Sequence, residues 1–249
     1  VPDAVKAVVV LSHGLAEHSG RYAHVAARLN DAGYVVYALD HRGHGRSEGT
    51  PGNIETMAFV RADLDTLLTK ARGEHAGLPV FLLGHSFGGL TALDYLVDRG
   101  ASGLAGLVLS GAFVDPEAGN AVQRRLAGVL SALAPNLGVV PLDPTTVSKD
   151  PAEVEKYVKD PLNYHGKVRA RSGAEIIAGV KRVVAGLPAV TLPVLVMHGS
   201  QDRLVSPGAA KLIAERIGST DKTLTLYDGL YHEIFNEPER DQVLGDLVA

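Results

Sequence analysis

Along most of the chain, apolar β-branched runs alternate with stretches whose apolar residues recur at helical spacing. This is the pattern of a largely parallel sheet covered by helices. Residues 6–12 (KAVVVLS), 34–40 (YVVYALD), 80–83, 104–109, 194–197 and 223–227 read as strands. Residues 21–31, 54–75, 87–98 and 207–217 read as helices, and 241–249 as a helix that breaks off. Gly33 stops the first helix, and Gly77 and Pro79 stop the second.

The alternation fails between Val114 and Pro188. Three helical patterns, 121–133, 152–158 and 172–185, lie there among Pro135, Pro141, Pro144, Pro151 and Pro161. So long an excursion between two core strands predicts an inserted helical subdomain rather than a loop. The expected organisation is a first core segment at 1–113, a helical lid at 114–188 and a second core segment at 189–249. Residues 124–142 (RRLAGVLSALAPNLGVVPL) are apolar after two opening arginines. They suit the wall of an acyl tunnel and a weak membrane-facing patch, or simple packing onto the core.

Composition narrows the function classes. A formal charge of −4 over 249 residues gives no concentrated basic face for nucleic acid. The absence of cysteine excludes disulfides, thiolate catalysis and Cys-based metal sites. No run approaches the ~20 apolar residues of a membrane span. The chain starts at Val1 without Met or signal-peptide features, so it reads as trimmed at both ends, with a targeting segment left open. The expected location is cytoplasmic, peripheral to the membrane.

The chemistry concentrates at strand ends. Gly84-His85-Ser86-Phe87-Gly88 matches G-x-S-x-G between a predicted strand and a predicted helix, the setting of a nucleophile elbow. A phosphate loop would need a Lys after its last glycine, where Leu90 and Thr91 stand. A serine needs a base, and the chain order Ser, Asp, His selects His232 in GLYHEIFNEP from ten histidines. His198 precedes Asp202 and reads as structural. Asp202, in the loop SQDRLVSP after a strand, would orient the imidazole; Asp228 and Glu233 lie too near His232 in sequence to do so well. His13-Gly14-Leu15 follows the first strand, so the N–H groups of Leu15 and Phe87 are the expected oxyanion donors. The loop from Asp40 to Gly45 reads as structural, with Asp40 and Arg42 bonding neighbouring backbone.

The segments HGLAEHSGRY (13–22), ALDHRGHGRSEG (38–49), GHSFGG (84–89), HGSQDRLV (198–205) and GLYHEIFNEP (229–238) resemble the monoacylglycerol lipase family, particularly its bacterial members. Phe87 stands where that family often has Met. The resemblance implies an α/β-hydrolase fold with a helical lid, and hydrolysis of monoacylglycerols to glycerol and fatty acid without a cofactor. It also implies that Glu17 and Arg21 line or support the glycerol end of the site, the alternative being a Glu17–Arg21 pair that caps the following helix. His85, flanking the nucleophile, could bond the site's loops or line its pocket. YVKDPL (157–162) adds Tyr157 as a hydroxyl contact. A general carboxylesterase, a lysophospholipase or a non-catalytic ligand-binding relative are the alternatives. An epoxide hydrolase or dehalogenase would carry Asp where Ser86 stands.

Overall fold

The computed structural model describes residues 5–117 and 121–249, with the side chains of 121–126 outside that description. The chain runs β1 (Ala7–Ser12), α1 (Ala23–Asp31), β2 (Tyr34–Ala38), α2 (Met57–Glu74), β3 (Val80–His85), α3 (Phe87–Arg99) and β4 (Gly106–Ser110). Then come α4 (Ala121–Leu133), β5 (Gly138–Val140), α5 (Pro151–Lys159), β6 (Val168–Arg169) and α6 (Ala170–Gly186). β7 (Val194–Gly199), α7 (Pro207–Arg216), β8 (Lys222–Tyr227) and α8 (Arg240–Val248) complete the order. The long second helix begins at Met57 rather than at Ile54, because Thr56 is extended and its side chain caps Phe59 N–H.

Six strands form one parallel sheet in the order β2-β1-β3-β4-β7-β8. All six residues of β1 are buried, as a central strand covered on both faces requires. Its side chains alternate between two layers. Val8 and Val10 pack with residues of α2, α3, α6 and α7, whereas Val9 and Leu11 pack with Val25 and Leu29 of α1 and Val243 and Leu244 of α8. β1 lies between β2 and β3, so the chain reverses its direction of travel across the sheet there. Loops leaving β1 and β3 diverge at such a switch point and open a crevice at the strands' carboxyl ends.

The stretch between β4 and β7 carries the expected helices, but it is not wholly helical. β5 and β6 form a small antiparallel pair, too short for periodicity to reveal. Pro151 starts α5 behind Asp150, whose carboxylate caps Ala152 N–H. α6 buries Ile176, Val180 and Val183 in the main core, against the layer that contains α3. Arg124 and Arg125, which open the apolar stretch 124–142, lie among the side chains not described.

One ionic cluster fastens α6 to the core. The Asp94 side chain of α3 is 1% exposed and receives Arg61 of α2 and Arg182 of α6, the latter at 3.1 Å. Removing it leaves two arginines facing each other, although both can reach water. Asp94→Ala should therefore cost about 2 kcal/mol in denaturant unfolding, below the full cost of a broken buried pair. A change within 0.5 kcal/mol, the range of ordinary surface substitutions, would show that the cluster does not hold α6.

Candidate active site

The turn between β3 and α3 is strained. Ser86 has φ 53° and ψ −116°, a conformation that non-glycine residues rarely adopt. Its N–H is held by Ser110 O at 2.9 Å, and its carbonyl accepts Gly89, Leu90 and Phe113 N–H groups. Gly88 makes the turn possible, because a Cβ there would fall 1.9 Å from the Ser12 carbonyl oxygen. The side chain of Ser86 is partly exposed at the mouth of α3. Phe87 N–H, the first of that helix, has no acceptor among the described residues and adds to the positive helix terminus.

The loop after β1 is pinned on every side except one. Gly14 N–H donates to Glu17 Oε1 at 2.6 Å, and the His13 ring bonds Gly14 O through Nδ1 at 2.7 Å. His13 Nε2 accepts from His41 N–H. Ala16, fully buried, sits at φ 67°, and its carbonyl accepts Tyr164 N–H and the Tyr157 hydroxyl. Leu15 N–H is left without an acceptor among the described residues. The two expected oxyanion donors thus lie unused on adjacent strand ends, one from each side of the switch point.

His232 and Asp202 meet from separate loops. Asp202 Oδ1 accepts Leu204 and Val205 N–H at 2.8 and 2.9 Å, and its Oδ2 accepts His232 Nδ1–H at 2.7 Å. Burial works against the Asp202 charge, but His232, His198 and the Val205 N–H outweigh it and hold the carboxyl well below its usual range. Burial likewise favours neutral His232, yet Asp202 and then Glu233 and Glu17 raise it above its ordinary value. With Nδ1–H committed to Asp202, Nε2 is the basic atom. Ser86, His232, Leu15 and Phe87 border one cavity of about 340 Å³.

The sequence model described as "Serine aminopeptidase, S33" matches residues 3–239. The chain is 42% identical to a monoacylglycerol lipase of Mycolicibacterium smegmatis, over 98% of this chain and 87% of that one. It is 37% identical to a human monoglyceride lipase, covering 93% and 77% of the two chains. The crystal structure of the Paleococcus ferrophilus monoacylglycerol lipase superposes with a TM-score of 0.89 at 31% identity, covering 99% and 95%.

The chain belongs to the monoacylglycerol lipase family.

This is a family of carboxylic ester hydrolases on the α/β-hydrolase fold, as the motifs led one to expect. The remaining candidate substrate contacts fall in two places. Glu17, His85 and Tyr157 border the cavity beside Ser86 and His232. His85 shares a hydrogen bond with Ser110 Oγ at 3.1 Å, and its ring lies 4.7 Å from that of His232. Burial, and then the neighbouring His232, press His85 down to about 3, so it faces the cavity as a neutral ring.

Arg21 is set back from the cavity wall. Its guanidinium bonds Glu17 Oε2 at 2.9 Å and grips both oxygens of Glu233 at 2.6 and 2.7 Å, while covering the Tyr157 ring. Two buried carboxylates take three of its five N–H donors, which gives it a supporting rather than a lining position. Glu233 therefore belongs to the site, though the 212 residues between it and Arg21 hide the pairing in the sequence. Glu237 was also not anticipated. It accepts Tyr231 N–H at 2.8 Å and the Ser148 hydroxyl at 2.9 Å, tying the His232 loop to the insertion. Arg42 departs from expectation too: it pairs with the Asp63 carboxylate at 2.9 Å rather than with backbone, while Asp40 does accept the Ser19 and Arg46 N–H groups.

A raised His232 fixes the direction of two pH effects. A general base must be neutral, so the acidic limb of kcat/KM should have its midpoint above the ordinary 6.5 of histidine. The same shift stabilises the fold fully below that value and is lost as pH rises through the higher folded value. A limb centred below 6.5 on a soluble ester would contradict the assignment of the base.

Proposed function

We propose that the chain hydrolyses monoacylglycerols to glycerol and free fatty acid through an acyl-enzyme on Ser86. The observation that carries this reading is the two-sided lining of the cavity. Leu15, Phe113, Val140, Leu142, Val147, Ile176, Ile177, Leu204 and Val205 form an apolar wall, while Glu17, His85, Tyr157 and Glu233 gather at the triad. Such a site matches a substrate with one apolar chain and a small hydroxylated head. A carboxylate at Glu17 can accept from glycerol hydroxyls, and the Tyr157 hydroxyl can reach the same head group.

In the first step, Ser86 Oγ attacks the ester carbonyl while His232 Nε2 takes its proton. Asp202 holds the imidazole and offsets the imidazolium charge, and Leu15 and Phe87 N–H groups receive the oxyanion. Collapse breaks the ester bond, and glycerol leaves with the proton from His232. Water, deprotonated by the same ring, then cleaves the acyl-enzyme and releases the fatty acid. No step calls for a metal or cofactor.

We assign residues 1–113 and 189–249 to the hydrolase core and 114–188 to a lid. None of the helices among the described residues is long and apolar enough to cross a membrane. The proposed membrane contact is peripheral, through Leu133, Val129 and Leu137, which are 81%, 54% and 50% exposed.

Ser86→Ala should lower kcat/KM by roughly 10³-fold or more and abolish fluorophosphonate labelling, with the unfolding transition retained. Substantial remaining turnover would remove Ser86 from the mechanism. Monoacylglycerol should outrun diacyl- and triacylglycerol of the same acyl length. Equal rates, or faster cleavage of a lysophospholipid, would favour the broader carboxylesterase or lysophospholipase reading.

Leu133→Asp tests the lid surface. Turnover of monoacylglycerol presented in phosphatidylcholine vesicles should fall several-fold, while turnover of a short soluble ester holds, because only the first requires apolar contact with the lipid. Equal losses on both would place Leu133 in folding rather than docking.

A further inference from the structure

Asp202 is engaged by two histidines, not one. His198, at the end of β7, is fully buried, and its Nε2 lies 3.0 Å from Asp202 Oδ2, the same oxygen that accepts His232 Nδ1–H. The tautomer of His198 follows from its neighbours. Nε2 faces only acceptors: it bonds the Val205 carbonyl at 3.0 Å and lies 3.0 Å from the Asp202 carboxylate, so it carries the proton. Nδ1 is buried without a partner among the described residues, so a proton placed there would have nothing to receive it. His198 thus donates through Nε2, and of the two rings on Asp202 it is His232 that borders the cavity.

We propose that His198 is a positioning residue of the hydrolytic centre, its Nε2–H, anchored on the Val205 carbonyl, standing against Asp202 Oδ2 and sharing the charge offered to His232. The inference rests on the reading of Ser86, His232 and Asp202 as the triad. Two backbone N–H groups anchor Oδ1, but Oδ2 has only side-chain partners. Loss of His198 would loosen that oxygen and leave its undivided charge to His232. The first effect lowers kcat, because orientation of the base matters most as the proton moves. The second favours the imidazolium and moves the acidic limb to higher pH.

Other groups also act on His232. Glu17 faces it from the loop after β1, His85 from the end of β3, Asp202 from the loop after β7, and Glu233 from its own loop, with Arg21 acting on His85 beside it. All of these are retained when only residue 198 is changed.

The experiment compares wild type, His198→Leu and His198→Gln on a soluble short-chain ester across pH, with thermal unfolding and fluorophosphonate labelling in parallel. Gln carries its amide nitrogen the same number of bonds from Cβ as Nε2, so it restores the donor. His198→Leu should lower kcat roughly tenfold with KM unchanged and raise the midpoint of the acidic limb by about half a unit. His198→Gln should keep the limb at its wild-type position. An unmoved limb in His198→Leu, or equal shifts in Leu and Gln, would overturn the proposal and reduce His198 to a tie between β7 and Val205.

Should the Leu variant fail to unfold cooperatively, His198→Asn takes its place. Its amide is too short to reach Oδ2, so it should shift the limb where Gln does not; matching Asn and Gln profiles would overturn the proposal equally. Labelling separates this failure from failure of the triad. A probe that does not label the wild type, or still labels Ser86→Ala, refutes the triad itself, whatever position 198 does.

Discussion

The close approach of the first turn of α3 to the end of β1 is the constraint on which the site depends. Gly88 leaves no room for a Cβ against the Ser12 carbonyl, so helix and strand touch backbone to backbone. That contact places Ser86 at a strained φ and sets the open N–H of α3 beside the loop carrying Leu15. Neither donor belongs to a side chain, so the sheet order itself holds this part of the machinery. The switch point between β1 and β3 makes the crevice, and the contact at Gly88 fixes how closely its two sides approach.

Strain of this kind persists only where surroundings over-determine it. Here they do so through buried polar groups as well as apolar packing. Ser86 N–H, Gly14 N–H and the Ala16 carbonyl each have a specific partner, and those partners come from β4, from Glu17 and from the segment around α5. Glu237 then ties the His232 loop to Ser148. The stretch between β4 and β7 is consequently bound, near its second half, to the loops that carry Leu15 and His232, while its exposed large apolar residues are Val129, Leu133, Leu137 and Val140 on and after α4 and Val158 on α5.

Most of the sheet and its helices were legible because period-2 and period-3.6 patterns are local. Ser86 was legible because a tight strand-to-helix turn demands glycines at fixed offsets. Asp202 and His232 were reached by chain order, which reflects topology rather than contact. What stayed hidden was pairing across long separations: Arg21 with Glu233, Ser148 with Glu237, Asp94 with Arg182. No periodicity encodes such partners, because each is selected by burial in the folded chain. Arg42 is an instructive case. Its loop reads as glycine-rich and self-contained, yet its guanidinium reaches Asp63 on α2. The β5–β6 pair escaped for a different reason, since two or three residues carry too little pattern to distinguish strand from turn.

The arrangement around Arg21 bears on how the reaction ends. One guanidinium serves two carboxylates, Glu17 and Glu233, and Asp202 adds a third acid nearby, faced by the rings of His198 and His232. The polar end of the cavity is therefore formally anionic. Under the proposed reaction, a neutral ester enters and an acid is formed against that wall. As soon as the acid ionises, it meets like charge in a medium of low dielectric, where repulsion over a few ångströms is costly. The same carboxylates that would accept from hydroxyl groups would thus weaken the hold on the second product and speed its release.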